Sequence, residues 1–360
     1  MRVPIPALVG QLLTVGFHGT HPTPTISRAL QRGERGGIIL FKRNLTEDVF
    51  EIPALNRELA SLSTSEIPLL IAVDQEGGRV ARVKGPALRV PPMLQLANLG
   101  DDALLRSVAT AQAKELTALG FTMNFSPILD VNSRPENPII GDRAFSEDAP
   151  LAASRALLYA AGLHEGGILS CGKHFPGHGD TTKDSHLELP RVSHPRDVLD
   201  RVELLPFRLA AKAALPAFMS AHVVYDALDP HTPATLSRTI CTELLRGELG
   251  FGGVLFSDDL EMKALSGDVE DLAVGAIQAG CDALLICSDE DLADRAFAAL
   301  VKEAERSDAF RARVEEAYGR FVAMKTRSPA PASKDTLSQL FQAHTSIAVR
   351  LAPLLERPPS

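Results

Sequence analysis

Residues 69–80 read LLIAVDQEGGRV, an apolar run that ends in an aspartate and a pair of glycines. Short runs of this kind, rich in Val, Ile, Leu and Phe and without polar alternation, are typical of strands buried on both faces of a parallel sheet. The chain contains eight of them: LLTVGF near 12, GIILF at 37, LLIAV at 69, FTMNFS at 121, GILSC at 167, AFMS at 217, GVLFS at 253 and DALLIC at 282.

Amphipathic stretches separate most of these runs, and clear examples span residues 104–120, 199–215 and 271–281. Eight strands that alternate with helices predict an α/β fold of the (β/α)8 TIM-barrel type. A doubly wound open sheet is the alternative, but the chain has neither a GxGxxG after its first strand nor a GxxxxGK[ST] motif. We predict a catalytic barrel over residues 1–327. Residues 328–360 are predicted to form a linker and a C-terminal helical tail, 336–355, that packs on or beside the barrel.

The composition is that of an ordinary globular protein, with 45% hydrophobic and 23% charged residues in 360. The formal net charge of −8 argues against a nucleic-acid partner, because such partners usually require a positive face. No apolar run is long enough to span a bilayer and no signal-peptide cleavage site follows the N-terminus, so we expect a cytoplasmic protein without a membrane partner. The cysteines show no CxxC or zinc spacing and are expected to be buried, reduced thiols: Cys171, Cys241, Cys281 and Cys287.

Polar residues follow the predicted strands at the points where the strands end. They are Asp74, Asp130, Lys173, His174, His222, Asp258 and Asp259. The C-terminal ends of barrel strands all lie on one rim, where barrel enzymes carry their active sites. These residues are therefore expected to form a catalytic face.

The stretch KHFPGHGDTTKDSHLELP, residues 173–190, concentrates titratable side chains. His174 and His178 have the spacing of two metal ligands on a helix face, but Pro176 and Gly177 break any helix between them. The sequence also lacks the HxH pair that barrel metallohydrolases tend to carry. We therefore predict no metal.

Acid/base chemistry is the second interpretation of this stretch. Asp184 and His186 are two residues apart, so their side chains can converge in an extended loop. A carboxylate beside an imidazole fixes its tautomer and tunes it for proton transfer near neutral pH. An ordinary solvated loop with an Asx-turn at Asp184 is the structural alternative.

Two further motifs supply candidate partners. SDDLEM (257–262) ends a strand in two aspartates, yet Asp258-x-x-Glu261 also matches a helix capping box, and the spacing does not decide between Asp258 and Asp259. In DQEGGRVARV (74–83), a carboxylate, two glycines and two arginines suit the hydroxyl and acyl groups of a sugar.

Six motifs together resemble glycoside hydrolase family 3, and within it the single-domain β-N-acetylhexosaminidases of bacterial cell-wall recycling. They occur in the family's order between about residues 8 and 290: VDQEGGRV (73–80), FSPILDVN (125–132), GDRAF (141–145), KHFPGHGDTTKDSH (173–186), SAHVVY (220–225) and FSDDLEM (256–262). KHFPGHG with a downstream DSH is the most specific of these.

The resemblance implies roles for individual residues. Asp258 matches the nucleophile, His186 the general acid/base, and Asp184 its partner. The residues that match positions holding the N-acetylglucosamine ring are Asp74, Arg82, Arg143, Lys173 and His174. Asp130 and His222 fall in shared motifs and are expected on the pocket floor, whereas Asp180 receives no role.

The resemblance implies a retaining exo-β-N-acetylglucosaminidase of peptidoglycan recycling. Its substrate would be a saccharide or muropeptide, most simply GlcNAc-1,6-anhydro-MurNAc with its peptide, with no cofactor or metal, and the protein would be a monomer or weak dimer. The alternatives are a β-glucosidase of the same family, a metal-dependent barrel hydrolase, and a barrel that binds sugars without catalysis. Because histidine replaces the usual second carboxylate, phosphate could replace water in releasing the sugar.

Overall fold

A closed barrel of eight parallel strands forms the centre of the computed structural model, which describes residues 3–134, 136–181, 189–325 and 332–356. The strands are β1 Leu13–Val15, β2 Gly37–Leu40, β3 Leu70–Val73, β4 Met123–Asn124, β5 Leu169–Phe175, β6 Arg191–Val192, β7 Ala217–Ser220, β8 Val224–Tyr225, β9 Val254–Asp259 and β10 Ala283–Ile286. β6 and β8 form a separate two-stranded sheet, and the other eight close the barrel in chain order. Each predicted run overlaps one barrel strand, so the predicted α/β barrel is confirmed.

Helices surround this barrel. They are α1 Ile5–Gln11, α2 Pro24–Gln31, α3 Ile52–Leu62, α4 Met93–Ala97, α5 Asp102–Leu119, α6 Ala149–Glu165, α7 Arg196–Arg201, α8 Leu204–Lys212, α9 Val269–Ala279, α10 Glu290–Arg306, α11 Asp308–Met324, α12 Lys334–Ala343 and α13 Thr345–Leu355. Four short 3-10 turns, at 42–44, 49–51, 141–143 and 234–236, and a π-helical segment, Thr239–Glu248, complete the regular structure of the described residues. α5 ends at Gly120, whose φ of 97° is left-handed.

The amphipathic stretch 199–215 contains the end of one helix and the whole of another, because α7 and α8 are separate. Pro206 lies in the first turn of α8, where its ring would clash with the carbonyl of Val202 if the helix continued. The chain therefore breaks between these helices and buries Glu203.

Large side chains fill the barrel interior, so it is a packed core. Phe125 and Phe256 meet edge to face with their ring centroids 5.3 Å apart, and Phe321 of α11 contacts Phe256 at 5.6 Å. All four cysteines are buried and free, as predicted. A close-packed interior of this kind holds the strand ends, and hence the rim side chains, in fixed positions.

The C-terminal tail forms two helices, α12 and α13, where one was predicted. Leu337 and Leu351 are fully buried, and the His344 Nδ1 between the two helices lies 2.7 Å from Glu115 Oε1 of α5. The tail thus packs on the outside of the barrel. The domain boundary predicted at 327–328 lies outside the described residues. Across the described parts of the chain, no helix is both long and apolar enough to cross a membrane.

Candidate active site

The C-terminal rim of the barrel encloses a cavity of about 200 Å³. Six of the predicted site residues line it: Asp74, Arg82, Arg143, Lys173, His174 and Asp258. They come from the ends of β3, β5 and β9 and from the 3-10 turn at 141–143, because parallel strands bring their C-terminal ends to the same rim. Asp184 and His186 lie outside the described residues.

The loop after β3 is held by its own polar side chains. Gln75 Oε1 accepts the backbone N–H groups of Arg82 and Val83 at 2.7 and 3.0 Å. Gly77 has φ of 123°, and a Cβ there would lie 2.8 Å from the carbonyl oxygen of Pro91. The two glycines of the motif therefore serve a tight turn that fixes where Arg82 enters the cavity.

Five side chains form a row of alternating charges along one wall of the cavity. Lys173 Nζ lies 2.7 Å from both Asp74 Oδ1 and Glu76 Oε1. Arg143 holds Glu76 with two parallel hydrogen bonds of 2.8 Å, and Arg82 Nη2 lies 3.7 Å from Asp74 Oδ2. We call Arg82, Asp74, Lys173, Glu76 and Arg143 the charge row.

Burial and pairing act in opposite directions on the charge row, and pairing prevails. Burial raises the pKa of Glu76, but the charges of Arg143 and Lys173 outweigh burial and leave that pKa well below its ordinary value. Burial likewise lowers the pKa of Lys173, while Asp74 and Glu76 raise it to a net value above the ordinary one. Glu76 and Lys173 therefore stay charged at neutral pH.

Glu76 is a residue that the sequence analysis missed. It lies inside the motif VDQEGGRV, but its position next to two glycines gave no sign that it would be buried between two cations. It contacts the two residues Lys173 and Arg143, which lie 97 and 67 positions further along the chain. The carboxylate of Glu76 fixes both cations, so that Asp74 and Arg82 are left to meet a ligand.

Asp130 fixes the orientation of His174. Its carboxylate accepts hydrogen bonds from the backbone N–H groups of His174 at 3.0 Å and His178 at 2.7 Å. The His174 ring contributes a third contact, with Nδ1 2.7 Å from Asp130 Oδ2. With Nδ1 donating to the carboxylate, the His174 ring is held in one orientation. Asp130 does not line the cavity, in contrast to the expected place on the pocket floor; it lies behind His174 and His178, which do line it.

The surroundings of Asp258 keep its carboxylate ionised. Its Oδ1 accepts the N–H of Asp259 at 2.8 Å. Burial raises the pKa of Asp258, but the neighbouring charges of His222 and His174 outweigh burial and hold that pKa below its ordinary value. Asp258 is therefore ionised at neutral pH and available as a nucleophile.

His222 supports the end of β9 from below. Its Nε2 lies 2.9 Å from the carbonyl oxygen of Asp259, and its Nδ1 lies 2.8 Å from Thr235 Oγ1. The imidazole is fully buried and does not line the cavity. Like Asp130, His222 thus lies outside the cavity lining.

The capping-box interpretation of Asp258 and Glu261 is wrong. The next helix, α9, begins only at Val269, and the Glu261 carboxylate instead accepts the N–H groups of Ser288 and Asp289 at 2.6 and 2.9 Å. Asp259 ties the same segment to β10, since its Oδ1 accepts the N–H groups of Glu261 and Cys287. Burial, reinforced by the charge of Glu261, raises the pKa of Asp259 to about 7, which separates it from its ionised neighbour.

Asp180, which received no role from the sequence, makes a bridge at the surface of the site. Its carboxylate lies 3.0 Å from Arg134 Nη2 and 2.8 Å from His194 Nε2. It does not line the cavity. Asp180 therefore anchors the end of the segment 177–181, which leads toward the DSH motif.

The described residues contain no group of three or more His, Cys, Asp or Glu side chains placed to hold a metal ion. Apolar faces of the cavity come from Phe41, Ile139, Met219 and Met262. The site thus combines an ionised carboxylate, a row of fixed charges and a small enclosed volume. This combination suits a reaction at one polar ring.

Comparison with known proteins agrees with this chemistry. The β-hexosaminidase of Alkalilimnicola ehrlichii is 41% identical over 289 residues, which cover 78% of this chain and 81% of that protein. A family 3 β-N-acetylglucosaminidase from Paenibacillus has a similar structure, with a TM-score of 0.85, 36% identity, and coverage of 96% of this chain and 69% of that one.

NagZ from Neisseria gonorrhoeae, in complex with N-trifluoroacetyl-D-glucosamine, is similar over 96% of this chain and 98% of its own, with a TM-score of 0.82 and 32% identity. The model of the glycosyl hydrolase family 3 N-terminal domain matches residues 6–324. The predicted glycoside hydrolase is confirmed, and the β-glucosidase alternative is not favoured. This chain belongs to glycosyl hydrolase family 3, among relatives of the β-hexosaminidase type.

Proposed function

We propose that this protein is a retaining, exo-acting β-N-acetylglucosaminidase that removes a terminal non-reducing N-acetylglucosamine. The observation that carries the proposal is the ionised Asp258 facing the charge row across a cavity of about 200 Å³. That volume is below the range of about 300–1,000 Å³ typical of sites for larger ligands. It accepts a single sugar ring, which is the requirement for exo action.

The charge row and His174 would bind that ring. The carboxylate of Asp74 accepts hydrogen bonds from hydroxyl groups, while Lys173, Arg82 and His174 offer groups for hydroxyl and acyl oxygens. The Nε atom of Arg82 is buried and donates to no partner among the residues that the structure describes. A bound sugar oxygen would satisfy it. The gonococcal relative, whose structure holds an N-acylated glucosamine, supports the choice of ring.

The reaction would run in two steps. Asp258 attacks the anomeric carbon while the glycosidic C–O bond breaks and His186, paired with Asp184, gives a proton to the leaving oxygen. Water then attacks the glycosyl–Asp258 ester, His186 takes its proton, and the sugar leaves with its β configuration restored. The roles of His186 and Asp184 rest on the DSH motif.

The proposed natural substrate is GlcNAc-1,6-anhydro-MurNAc carrying its peptide, cleaved during peptidoglycan recycling in the cytoplasm by a monomer or weak dimer. The sequence motifs support this assignment, and the N-acylated glucosamine held by the gonococcal relative supports its terminal sugar. The chain would divide into a catalytic barrel, 1–327, and a linker with a helical tail, 328–360.

The first experiment measures release of 4-nitrophenol from 4-nitrophenyl N-acetyl-β-glucosaminide and from the corresponding glucoside. We expect turnover of the N-acetylglucosaminide only, a loss of about 10³-fold or more in Asp258→Ala, and a loss of about 10²–10⁴-fold in His186→Ala. The matched controls Asp271→Ala and His231→Ala, both at exposed positions, should retain full activity.

Three outcomes would contradict the proposal. Loss of activity with EDTA would indicate a metal-dependent hydrolase, and equal turnover of the glucoside would restore the β-glucosidase alternative. Release of the α-anomer, read by proton NMR immediately after cleavage, would exclude retention. Adding phosphate during the same assay and finding sugar 1-phosphate would show that phosphate, and not water alone, takes the sugar from Asp258.

A further inference from the structure

A second cavity, of about 1060 Å³, lies behind the loop that follows β3. Within residues 75–83, Val80 and Arg82 line the active-site cavity, whereas Arg79 and Val83 line the larger one. The two cavities are therefore separated by a wall that is one loop thick. We call the larger cavity the outer groove, and the residues that characterise it are Lys42, Arg79, Lys84, Arg89, Gln95 and Leu354.

The wall of the outer groove is preformed. Arg79 Nη2 donates to the carbonyl oxygen of Ile139 at 2.6 Å, which ties the β3 loop to the loop before the 3-10 turn at 141–143. Gly78 donates to the carbonyl oxygen of Val90 at 2.8 Å and closes the loop at its other end. A ligand would thus meet a surface that is already ordered, which lowers the entropic cost of binding.

The rim of the outer groove is cationic in a protein whose formal net charge is −8. Lys84 is paired with Glu47, and Arg79 lies 3.6 Å from Asp142. Lys42 and Arg89 are exposed and make no ion pair with any residue that the structure describes. Two free cations on an acidic protein attract an anionic ligand to this place.

The floor of the outer groove is apolar, with Val90, Pro92 and Leu354 among its side chains. Gln95 adds an amide whose Oε1 is buried and accepts no hydrogen bond within the described ranges. An apolar floor, an open acceptor and a cationic rim together suit an extended chain with amide N–H groups, aliphatic side chains and carboxylates. That is the chemistry of an acidic peptide.

The outer groove lies beside the segment that leads to the proposed acid/base. Asn137, which lines the groove, donates through Nδ2 to the carbonyl oxygens of His178 and Gly179 at 2.8 Å each. His178 in turn lines the active-site cavity. The contact between Asn137 and residues 178–179 therefore joins the outer groove to the active-site cavity.

We propose that the outer groove binds the acidic peptide stem of the leaving group, with Lys42 and Arg89 as its carboxylate contacts. This inference rests on the proposed function, which supplies a leaving group that carries such a stem. An extended stem of three or four residues reaches at most about 14 Å, enough to cross a wall one loop thick. The groove would then make the enzyme prefer peptide-bearing substrates over the bare disaccharide.

The test compares kcat/KM for three substrates: the 4-nitrophenyl N-acetylglucosaminide, the anhydro-disaccharide without a peptide, and the same disaccharide with its acidic stem. In the double variant Lys42→Ala/Arg89→Ala, we expect the preference for the peptide-bearing disaccharide to fall about three- to ten-fold, the effect of two exposed ion pairs. Turnover of the other two substrates should stay unchanged. The conservative variant Lys42→Arg/Arg89→Lys should keep the preference, and 0.5 M NaCl should weaken it in the wild type.

A matched control removes two exposed cations elsewhere that form no ion pair with the described residues, as in Arg57→Ala/Lys302→Ala. An equal loss of preference in this control, or an unchanged preference in Lys42→Ala/Arg89→Ala, would overturn the groove assignment. Wild-type activity on the 4-nitrophenyl substrate with none on either disaccharide would instead refute the proposed natural substrate, and the inference would fall with it. The two failures are therefore distinguishable.

Discussion

Replacing Glu203 by glutamine should make the protein more stable, relative to the wild type, at alkaline pH than at acid pH. Glu203 is 2% exposed, and neither of its carboxylate oxygens accepts a hydrogen bond from the described residues. It is packed against Gly177, where an added Cβ would lie 2.6 Å from the Glu203 Cβ. Burial raises the pKa of Glu203 from the ordinary 4.5 to about 7. Burial outweighs the backbone amide of Glu203, the charge of His194 and the nearby Ser133 hydroxyl, which favour the ionised form, so the carboxylate destabilises the fold when it ionises.

The magnitude follows from this pKa difference. Below pH 4.5 both the folded and the unfolded states are protonated, so Glu203 has no effect on the free energy of unfolding. As the pH rises through 7 the unfolded state has already released its proton, and stability falls by about 3 kcal/mol in total. At pH 5 the loss is below about 1 kcal/mol. An unfolding entropy of about 2.1 cal/mol/K per residue converts the difference of roughly 2.5 kcal/mol into about 3 °C for a chain of 360 residues.

The assay is differential scanning calorimetry of the wild type and Glu203→Gln at pH 5 and pH 9, with one scan rate throughout. Any penalty for burying the glutamine amide is the same at both pH values, so the diagnostic quantity is the change in the Tm difference. We expect Glu203→Gln to gain about 3 °C relative to the wild type between pH 5 and pH 9. The control Glu305→Gln, at an exposed position, should show no such change. A Tm difference that is the same at both pH values would refute the assignment of a raised pKa to Glu203.

Other predictions concern the active site. Glu76→Gln removes the anion shared by Arg143 and Lys173. We therefore expect a loss of about 3 kcal/mol in the free energy of unfolding, measured by urea denaturation, and a raised KM in steady-state kinetics. A stable variant with normal KM would contradict the role of the charge row. Asp130→Asn leaves one acceptor oxygen for three donors. It should lower kcat/KM by about 30-fold, or about 2 kcal/mol, and change the His174 tautomer seen in nitrogen NMR. An unchanged tautomer would show that Asp130 does not orient the ring. Because the pKa of Asp258 is below its ordinary 3.8, its ionisation should not limit kcat/KM above about pH 4 in a pH profile with the 4-nitrophenyl substrate. An acid limb with its midpoint above pH 5 that moves in Asp258→Glu would contradict an ionised nucleophile.

Much of the barrel was predictable because its signal is local. A strand buried on both faces must be apolar throughout, so each strand is visible in its own few residues, as in LIAV of β3. The same locality explains the error at residues 199–215, where Pro206 breaks the helix although the amphipathic pattern continues. The placement of Asp74 and Asp258 at strand ends was predictable for the same reason, since the end of a strand marks the rim.

The ion pairs of the site could not be predicted from the sequence. Glu76 contacts Arg143, 67 positions away in the chain, and Lys173 contacts Asp74, 99 positions away. No local sequence pattern therefore indicates either contact. The role of Asp180 also depended on distant residues, because Arg134 and His194 belong to separate loops that only the folded chain brings together.

The sequence by itself determined the eight strands, the rim that carries the polar residues and, through the motif resemblance, the family. Only the tertiary structure decided which of those residues are paired, and which of the two neighbouring carboxyl groups has a lowered pKa and which a raised one. The reason is physical: apolar periodicity is set by the burial of each short segment, whereas the pKa of Asp258 is lowered by His222 and His174, which come from other strands. The pKa of its neighbour Asp259 is raised by burial in the folded barrel. Closure of the barrel brings those charges to within a few ångströms, and that closure cannot be read from either residue's neighbours in sequence.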